Sequence, residues 1–233
     1  MATDETSVEN TSVLLSLWNV ALKVLNFGNH ILLFTLAGYL IYISWGTGVW
    51  SLHVLLCSVG YVLLMGEGIV VLAGENLWSG FLSRRVNSHI HWVLLLVGSV
   101  FSIVGTAYGY HGNALRNRPH FSSTHGLTGI ISVGLVIIAA VLGLPALFAG
   151  KLRNIIKPII NKFSHNLLGT ASFVVGMVSQ CYGYNTGFMR RLSPEIREAC
   201  YYSTIIVTIL CLTGVAKSGG QQILGIVRLV FRR

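Results

Sequence analysis

Eight histidines carry most of the chemistry open to this chain: His30, His53, His89, His91, His111, His120, His125 and His165. A neutral imidazole can ligate a metal, move a proton or hold a hydrogen bond, and its surroundings decide which. The usual catalytic companions are scarce, since Asp and Glu together number 7. The four cysteines, Cys57, Cys181, Cys200 and Cys211, form no C-x-x-C. That spacing removes both a zinc knuckle and a covalently attached haem.

The elements that position these histidines follow from composition. Of 233 residues, 53% are hydrophobic and 10% charged, and the mean hydropathy is +0.70. A soluble domain carries about 25% charged residues, so the deficit excludes a soluble enzyme, a disordered chain and a disulfide-rich secreted module. Apolar stretches recur at about 24–45, 51–73, 89–110, 125–148, 165–184 and 198–217. Each is long enough for a bilayer core of about 30 Å, and backbone in lipid must satisfy its own hydrogen bonds, which makes each a helix. The expected fold is all-α: a polytopic membrane protein of six transmembrane helices, with helices two to five forming a four-helix bundle. Short connections carrying Gly46, Gly48, Gly74, Gly80, Pro119, Gly150, Pro158 and Pro194 force successive helices to alternate in direction. Ser193-Pro194-Glu195 reads as the start of helix six. The expected organisation is a polar tail over 1–19, without the basic start of a secretory signal, a membrane domain over 20–217, and a basic amphipathic tail over 218–233 suited to an anionic surface.

Orientation follows from Lys and Arg. The side holding both termini and the second and fourth loops has 11, the opposite side 5, so both termini are expected in the cytosol. The net charge of +9 is absorbed by this bias and implies no nucleic-acid partner. Asn10-Thr11-Ser12 is a glycosylation sequon that a cytosolic tail leaves unmodified.

Four histidines open consecutive spans: His53, His91, His125 and His165. Helices two and four enter from one face, three and five from the other. His53 can therefore meet His125 near one membrane surface, and His91 can meet His165 near the opposite one. Zinc wants about four converging ligands, whereas two opposed imidazoles suit the axial positions of a haem iron. Without an attachment motif that haem is b-type, and two pairs mean two of them. A lone histidine hydrogen-bonded to a neighbouring helix is the plainer reading of any single one. Gly129 and Gly169 follow His125 and His165 by four residues, on the same helix face, leaving room for a macrocycle or simply for close helix packing. Gly98, Gly105, Gly109, Gly126, Gly134 and Gly176 read as packing residues. His89 lies about 200° round the helix from His91, so His91 faces the bundle and His89 the surface. His30, in helix one, reads as a hydrogen-bonding residue. Glu67 stands four turns beyond His53 on the same face, either paired with a basic group near the second haem or hydrogen-bonded across helices.

The chain resembles the cytochrome b561 family, in its short six-helix form. The resemblance rests on SLHVLLCSVGYVLLMGEGIVVL, IHWVLLLVG, YHGNALRNRPHFSSTHGLTG and FSHNLLGTASFVVGM, and covers about 20–217. It implies two b haems, held by His53 with His125 and His91 with His165. It also implies a transmembrane reductase carrying electrons from cytosolic ascorbate to monodehydroascorbate radical or a ferric chelate on the other side. Two departures stand out. Asn87-Ser88-His89 occupies the place of a basic residue before the helix-three ligand, and Ser123-Thr124-His125-Gly126-Leu127 lacks the Trp that often follows the helix-four ligand.

An anionic substrate calls for basic side chains. On the cytosolic face the candidates are Arg84, Arg85, His89, Lys157 and Lys162; on the opposite face they are His111, Arg116, Arg118 and His120, which run against the charge bias. The same groups could instead contact lipid phosphates or haem propionates. The rival readings are a haem-binding anchor or sensor that turns nothing over, and a small transporter with a histidine-lined path. Membrane lipid is an expected partner, a homodimer is left open, and the endoplasmic reticulum or a vesicle membrane is the expected location.

Overall fold

The computed structural model describes residues 2–73, 76–148, 151–152, 154–155 and 157–231, with side chains from Val13 onward. Gly74, Gly150, Arg153, Arg232 and Arg233, and the side chains of the Asn10 sequon, lie outside the described residues. The chain is a helical bundle of α1 (Ala2–Ser44), α2 (Val49–Val70), α3 (Arg84–Ala114), α4 (Thr124–Leu147), α5 (Pro158–Gly183) and α6 (Pro194–Phe231). Five of these are apolar and long enough to cross a membrane: α1 from Val13, then α2, α3, α4 and α6. The fifth helix of the bundle, α5, is long enough at 26 residues, about 39 Å. It is more polar, because Asn161, Lys162, His165, Asn166, Ser179 and Gln180 interrupt its apolar run.

Both terminal segments are helical. The N-terminal segment is helical from Ala2 and continuous with α1. At the other end α6 runs on through Gly219 and Gly220 to Phe231. A glycine costs a helix about 1 kcal/mol, too little to break one that is helical on both sides.

α2 changes geometry midway. Val49–Cys57 and Gly66–Val70 are α-helical, and Ser58–Met65 is π-helical. Small residues let the neighbours in where the helix widens. A Cβ on Gly60 would stand 2.8 Å from the Gly98 carbonyl of α3, and one on Gly176 of α5 would stand 2.8 Å from Ser132 Oγ of α4. Such residues are the usual means by which helices approach in lipid, where no hydrophobic force drives them together. Midplane polar groups join across three helices: the Tyr61 hydroxyl donates to Ser132 Oγ at 2.6 Å, which donates to the Ser172 carbonyl at 2.8 Å.

Candidate functional site

Each of the four helix-opening histidines is half-buried, and each is fixed in the same way. His53 Nδ1 bonds the Gly105 carbonyl at 2.8 Å and His91 Nδ1 the Gly68 carbonyl at 2.6 Å. His125 Nδ1 bonds the Ser179 carbonyl at 2.8 Å and His165 Nδ1 the Ala139 carbonyl at 3.0 Å. A carbonyl only accepts, so Nδ1 carries the proton in all four rings and Nε2 presents a lone pair. Metal-ligating imidazoles are held in this manner. The bonds are reciprocal within two antiparallel hairpins, α2 with α3 and α4 with α5.

The rings approach each other across the hairpins, and at one end the Nε2 atoms meet. His53 Nε2 lies 3.4 Å from His125 Nε2, with ring centroids 5.7 Å apart. The His91 and His165 rings lie 6.3 Å apart. With both Nδ1 protons committed to carbonyls, the 3.4 Å contact sets two acceptors nose to nose, an arrangement that calls for an electrophile between them. Two metal–imidazole bonds of about 2 Å each place opposed nitrogens about 4 Å apart, within a small ring adjustment of this contact. Among the described residues no group of three or more His, Cys, Asp or Glu converges on one point, which fits two ligands per site and disfavours zinc.

A shared register underlies the geometry. The acceptor carbonyl lies 14 residues beyond the histidine of its own helix in α3 (His91 and Gly105), α4 (His125 and Ala139) and α5 (His165 and Ser179). A glycine follows at 18 residues, five full turns on and therefore on the same face. The Cβ missing from Gly109 would stand 2.9 Å from the His53 ring, that of Gly143 3.1 Å from His165, and that of Gly183 3.2 Å from His125. In α2 the offset from His53 to Gly68 is 15, and the π-helical stretch between them absorbs the extra residue. These 14-residue offsets separate the two imidazole pairs by about 21 Å along the bundle. Gly105 and Gly109 read from sequence as packing residues; Gly105 does pack, against Cys57 and Leu56, and adds its carbonyl, while Gly109 lies against the His53 ring, and the repeated His-to-Gly spacing of 18 was the signal for it. Of the two glycines singled out earlier, Gly169 looks onto open space and Gly129 sits beside Ser179 Oγ at 3.2 Å.

The remaining candidates divide by end. Arg84 and Arg85 are exposed in the first turn of α3, whose cap Ser83 accepts from Val86 N–H. His89 accepts from the Trp92 indole at 3.2 Å on the surface, away from the His91 pair. Lys157 and Lys162 are exposed at the start of α5. At the opposite end Arg116 lies over the Trp50 ring at 5.4 Å, and Trp50 stands edge-on to His53 at 6.1 Å. His120 stacks on Tyr110 at 3.8 Å, while His111 and Arg118 are exposed. Asn117 and Phe121 hold this loop with φ of 50° and 55°, a left-handed conformation that costs a bulky residue energy. Glu67 meets His30 at 2.7 Å, a contact that is both a pairing with a basic group and a hydrogen bond across helices.

Paired, tautomer-fixed imidazoles at both ends of a membrane bundle define a transmembrane redox protein. The chain belongs to the eukaryotic cytochrome b561 family, whose model matches residues 52–190, the stretch that contains all four histidines. It is similar to the mouse and human proteins named Transmembrane reductase CYB561D2. Identity is 26% over 166 residues with the mouse protein and 26% over 173 with the human one, covering 71% of this chain and 72% of each relative. The bovine protein of that name is 27% identical over 88 residues, 38% of this chain and 40% of the relative. No solved structure matches. The protein is an integral membrane oxidoreductase of a haem b family.

Proposed function

We propose that His53 with His125, and His91 with His165, each hold one b haem, and that the chain passes electrons across the membrane between them. The donor is ascorbate at the His91/His165 end; the acceptor is monodehydroascorbate radical or a ferric chelate at the other. The observation that carries this reading is the pair of Nε2 lone pairs 3.4 Å apart with both Nδ1 protons committed elsewhere. A bound b haem supplies the one-electron couple at each pair. The protein's part is to keep each ring in the ligating tautomer, to clear its face with a glycine, and to hold the two ends about 21 Å apart in a closed apolar midplane.

Charge supports the direction of flow. Positive charge in the first turn of a helix opposes the helix dipole, so Arg84 and Arg85 sit where they weaken α3, which suits an anion site for ascorbate. At the far end the Arg116 guanidinium reaches His53 through the Trp50 ring, a short route between an anionic acceptor and a ligand. With both termini in the cytosol, the His91/His165 end is the cytosolic one.

The test is direct. Purified protein should show two low-spin bis-imidazole b haems, and in sealed vesicles of known orientation ascorbate should reduce them from the side of the termini. Folded protein without haem, or reduction only from the opposite side, would sink the reading or its orientation respectively.

A further inference from the structure

The His30–Glu67 pair is the one ionisable contact in the described apolar core that the electron path does not use. His30 is 7% exposed and Glu67 6%. The hydrogen bonds around them fix where the protons are. Asn26 Oδ1 accepts from the Leu77 N–H at 2.8 Å and lies 3.1 Å from His30 Nε2, so Nε2 donates to it. The Trp78 indole donates to Glu67 Oε2 at 3.1 Å. Nδ1 and Oε1 then meet at 2.7 Å, too close for two acceptors, and one proton lies between them. The pair as built is net neutral, and loss of that proton leaves a single negative charge.

Its position is asymmetric. Glu67 immediately precedes Gly68, whose carbonyl holds His91. The residues that precede the other three acceptor carbonyls are Val104, Ile138 and Val178. His30, the other half of the pair, lies outside the residues matched by the family model. A cavity of about 30 Å³ between α1, α2 and α6 is lined by Asn26, Cys211 and Thr213 among apolar residues, with room for a water or two. Among the described residues, the titratable groups facing the pair are the Cys211 thiol from α6 and, through the Gly68 peptide, His91 from α3; the adjoining loop contributes Trp78, which does not titrate.

We propose that His30 and Glu67 form a protonation site coupled to the redox state at the His91/His165 end. The inference rests on the haem reading given above. While that end is oxidised the pair lacks this proton and carries a single negative charge; when a one-electron donor reduces that end, one proton from water enters between Nδ1 and Oε1 and gives the neutral arrangement seen here. On oxidation the electron leaves toward the other end and the proton returns to water. Only an N–H or O–H bond forms or breaks, and the incoming negative charge in the apolar bundle is balanced by the proton.

The experiment is a redox titration of the full-length protein across neutral pH, each haem followed by its own low-spin resonance, with redox-difference infrared spectra. The variants are Glu67→Gln, which keeps the shape and the acceptor for Trp78, and His30→Gln. In the unmodified protein the potential of the His91/His165 haem should fall as pH rises, approaching one proton per electron, while that of the His53/His125 haem stays nearly level. Either variant should flatten the first slope and remove a carboxyl or imidazole band from the difference spectrum. A level potential in the unmodified protein, or an unchanged slope in both variants, overturns the proposal. Absence of haem from the unmodified protein overturns instead the reading beneath it.

Discussion

At the His53/His125 end, the Trp50 ring stands against His53 with Arg116 over that ring, and the adjoining loop is strained at Asn117 and Phe121. At the His91/His165 end, where Arg84, Arg85, Lys157 and Lys162 are exposed at the helix starts, a buried acid–imidazole pair lies one peptide from the carbonyl that holds His91. The two hairpins are built alike, with reciprocal histidine-to-carbonyl bonds and a 14-residue offset in every helix but α2. What differentiates the ends is Trp50 and Glu67 of α2 together with what packs around the hairpins: His30 from α1, Cys211 from α6, and the loops. Paired imidazoles are therefore a property of both hairpins, and the differences between the ends belong to α2 and its neighbours.

The largest expected effect tests whether the ends are separable. Replacing His165 by Ala should remove one haem, retain the His53/His125 haem, and block entry of electrons from the cytosol. Replacing His125 by Ala should retain entry and abolish delivery to an external acceptor. Haem content and ascorbate-dependent reduction in oriented vesicles decide it, and loss of the same spectral component in both variants breaks the pairing.

The next effect contrasts the hairpins. Deleting Leu63 from the π-helical stretch should let it close to ordinary α geometry. Gly68 then falls 14 residues beyond His53, the offset the other helices use, and both haems should survive. Deleting Leu135 from α4 has no such slack: the helix beyond it turns by about 100°, which brings the Ala140 carbonyl opposite His165 but sets Leu144 in place of Gly143 against the ring, and its haem should be lost. Equal damage from both deletions would show that the π segment is not a register insertion.

How far this was legible in sequence follows from the same residues. The four histidines and their pairing needed only span length and alternation, both set by the bilayer. The acceptors that fix the rings are backbone carbonyls, which carry no side-chain identity and so leave no mark. Gly109, Gly143 and Gly183 do leave one, the repeated 18-residue offset, but a glycine in a membrane helix has packing as its ordinary explanation, and the offset shows its meaning only once a ring lies there. The π-helical turn was illegible, since nothing in SVGYVLLM departs from an apolar α-helix. Glu67 stood out as an acid in an apolar run; its partner His30 depended on the rotation of α1 against α2, which periodicity does not set. The helix ends ran past their apolar cores for a similar reason, since a helix once formed extends at little cost.

Smaller effects should come from the surface charges. Arg116→Gln should slow reduction of an anionic ferric chelate several-fold, with the difference shrinking as salt screens the charge over about 10 Å, and leave both haem spectra in place. Arg84→Gln with Arg85→Gln should raise the ascorbate concentration needed for half-maximal reduction by a similar factor and leave the ferric step unchanged. If the single variant and the double variant each affect both steps equally, the charges act on the whole membrane surface and not at separate ends.

The smallest expected effect discriminates most finely, because it involves no protein contact. A Cβ on Gly169 would meet nothing within 4 Å, whereas one on Gly143 would press on the His165 ring at 3.1 Å. Gly169→Ala should therefore leave the apoprotein as stable as before, or slightly more so, since alanine favours a helix by about 1 kcal/mol over glycine. Gly169 lies one turn beyond His165 on the same face, where a macrocycle held by that histidine would pass. The added methyl should then perturb only the loaded protein, shifting the resonance of the His91/His165 haem and lowering its retention modestly, with the other haem untouched. Gly143→Ala should disturb the ring itself and weaken the same haem more. A Gly169→Ala protein with an unaltered haem signal would place the macrocycle on the other side of the His165 ring. A loss of stability in the apoprotein would show that the open space beside Gly169 is filled by protein after all.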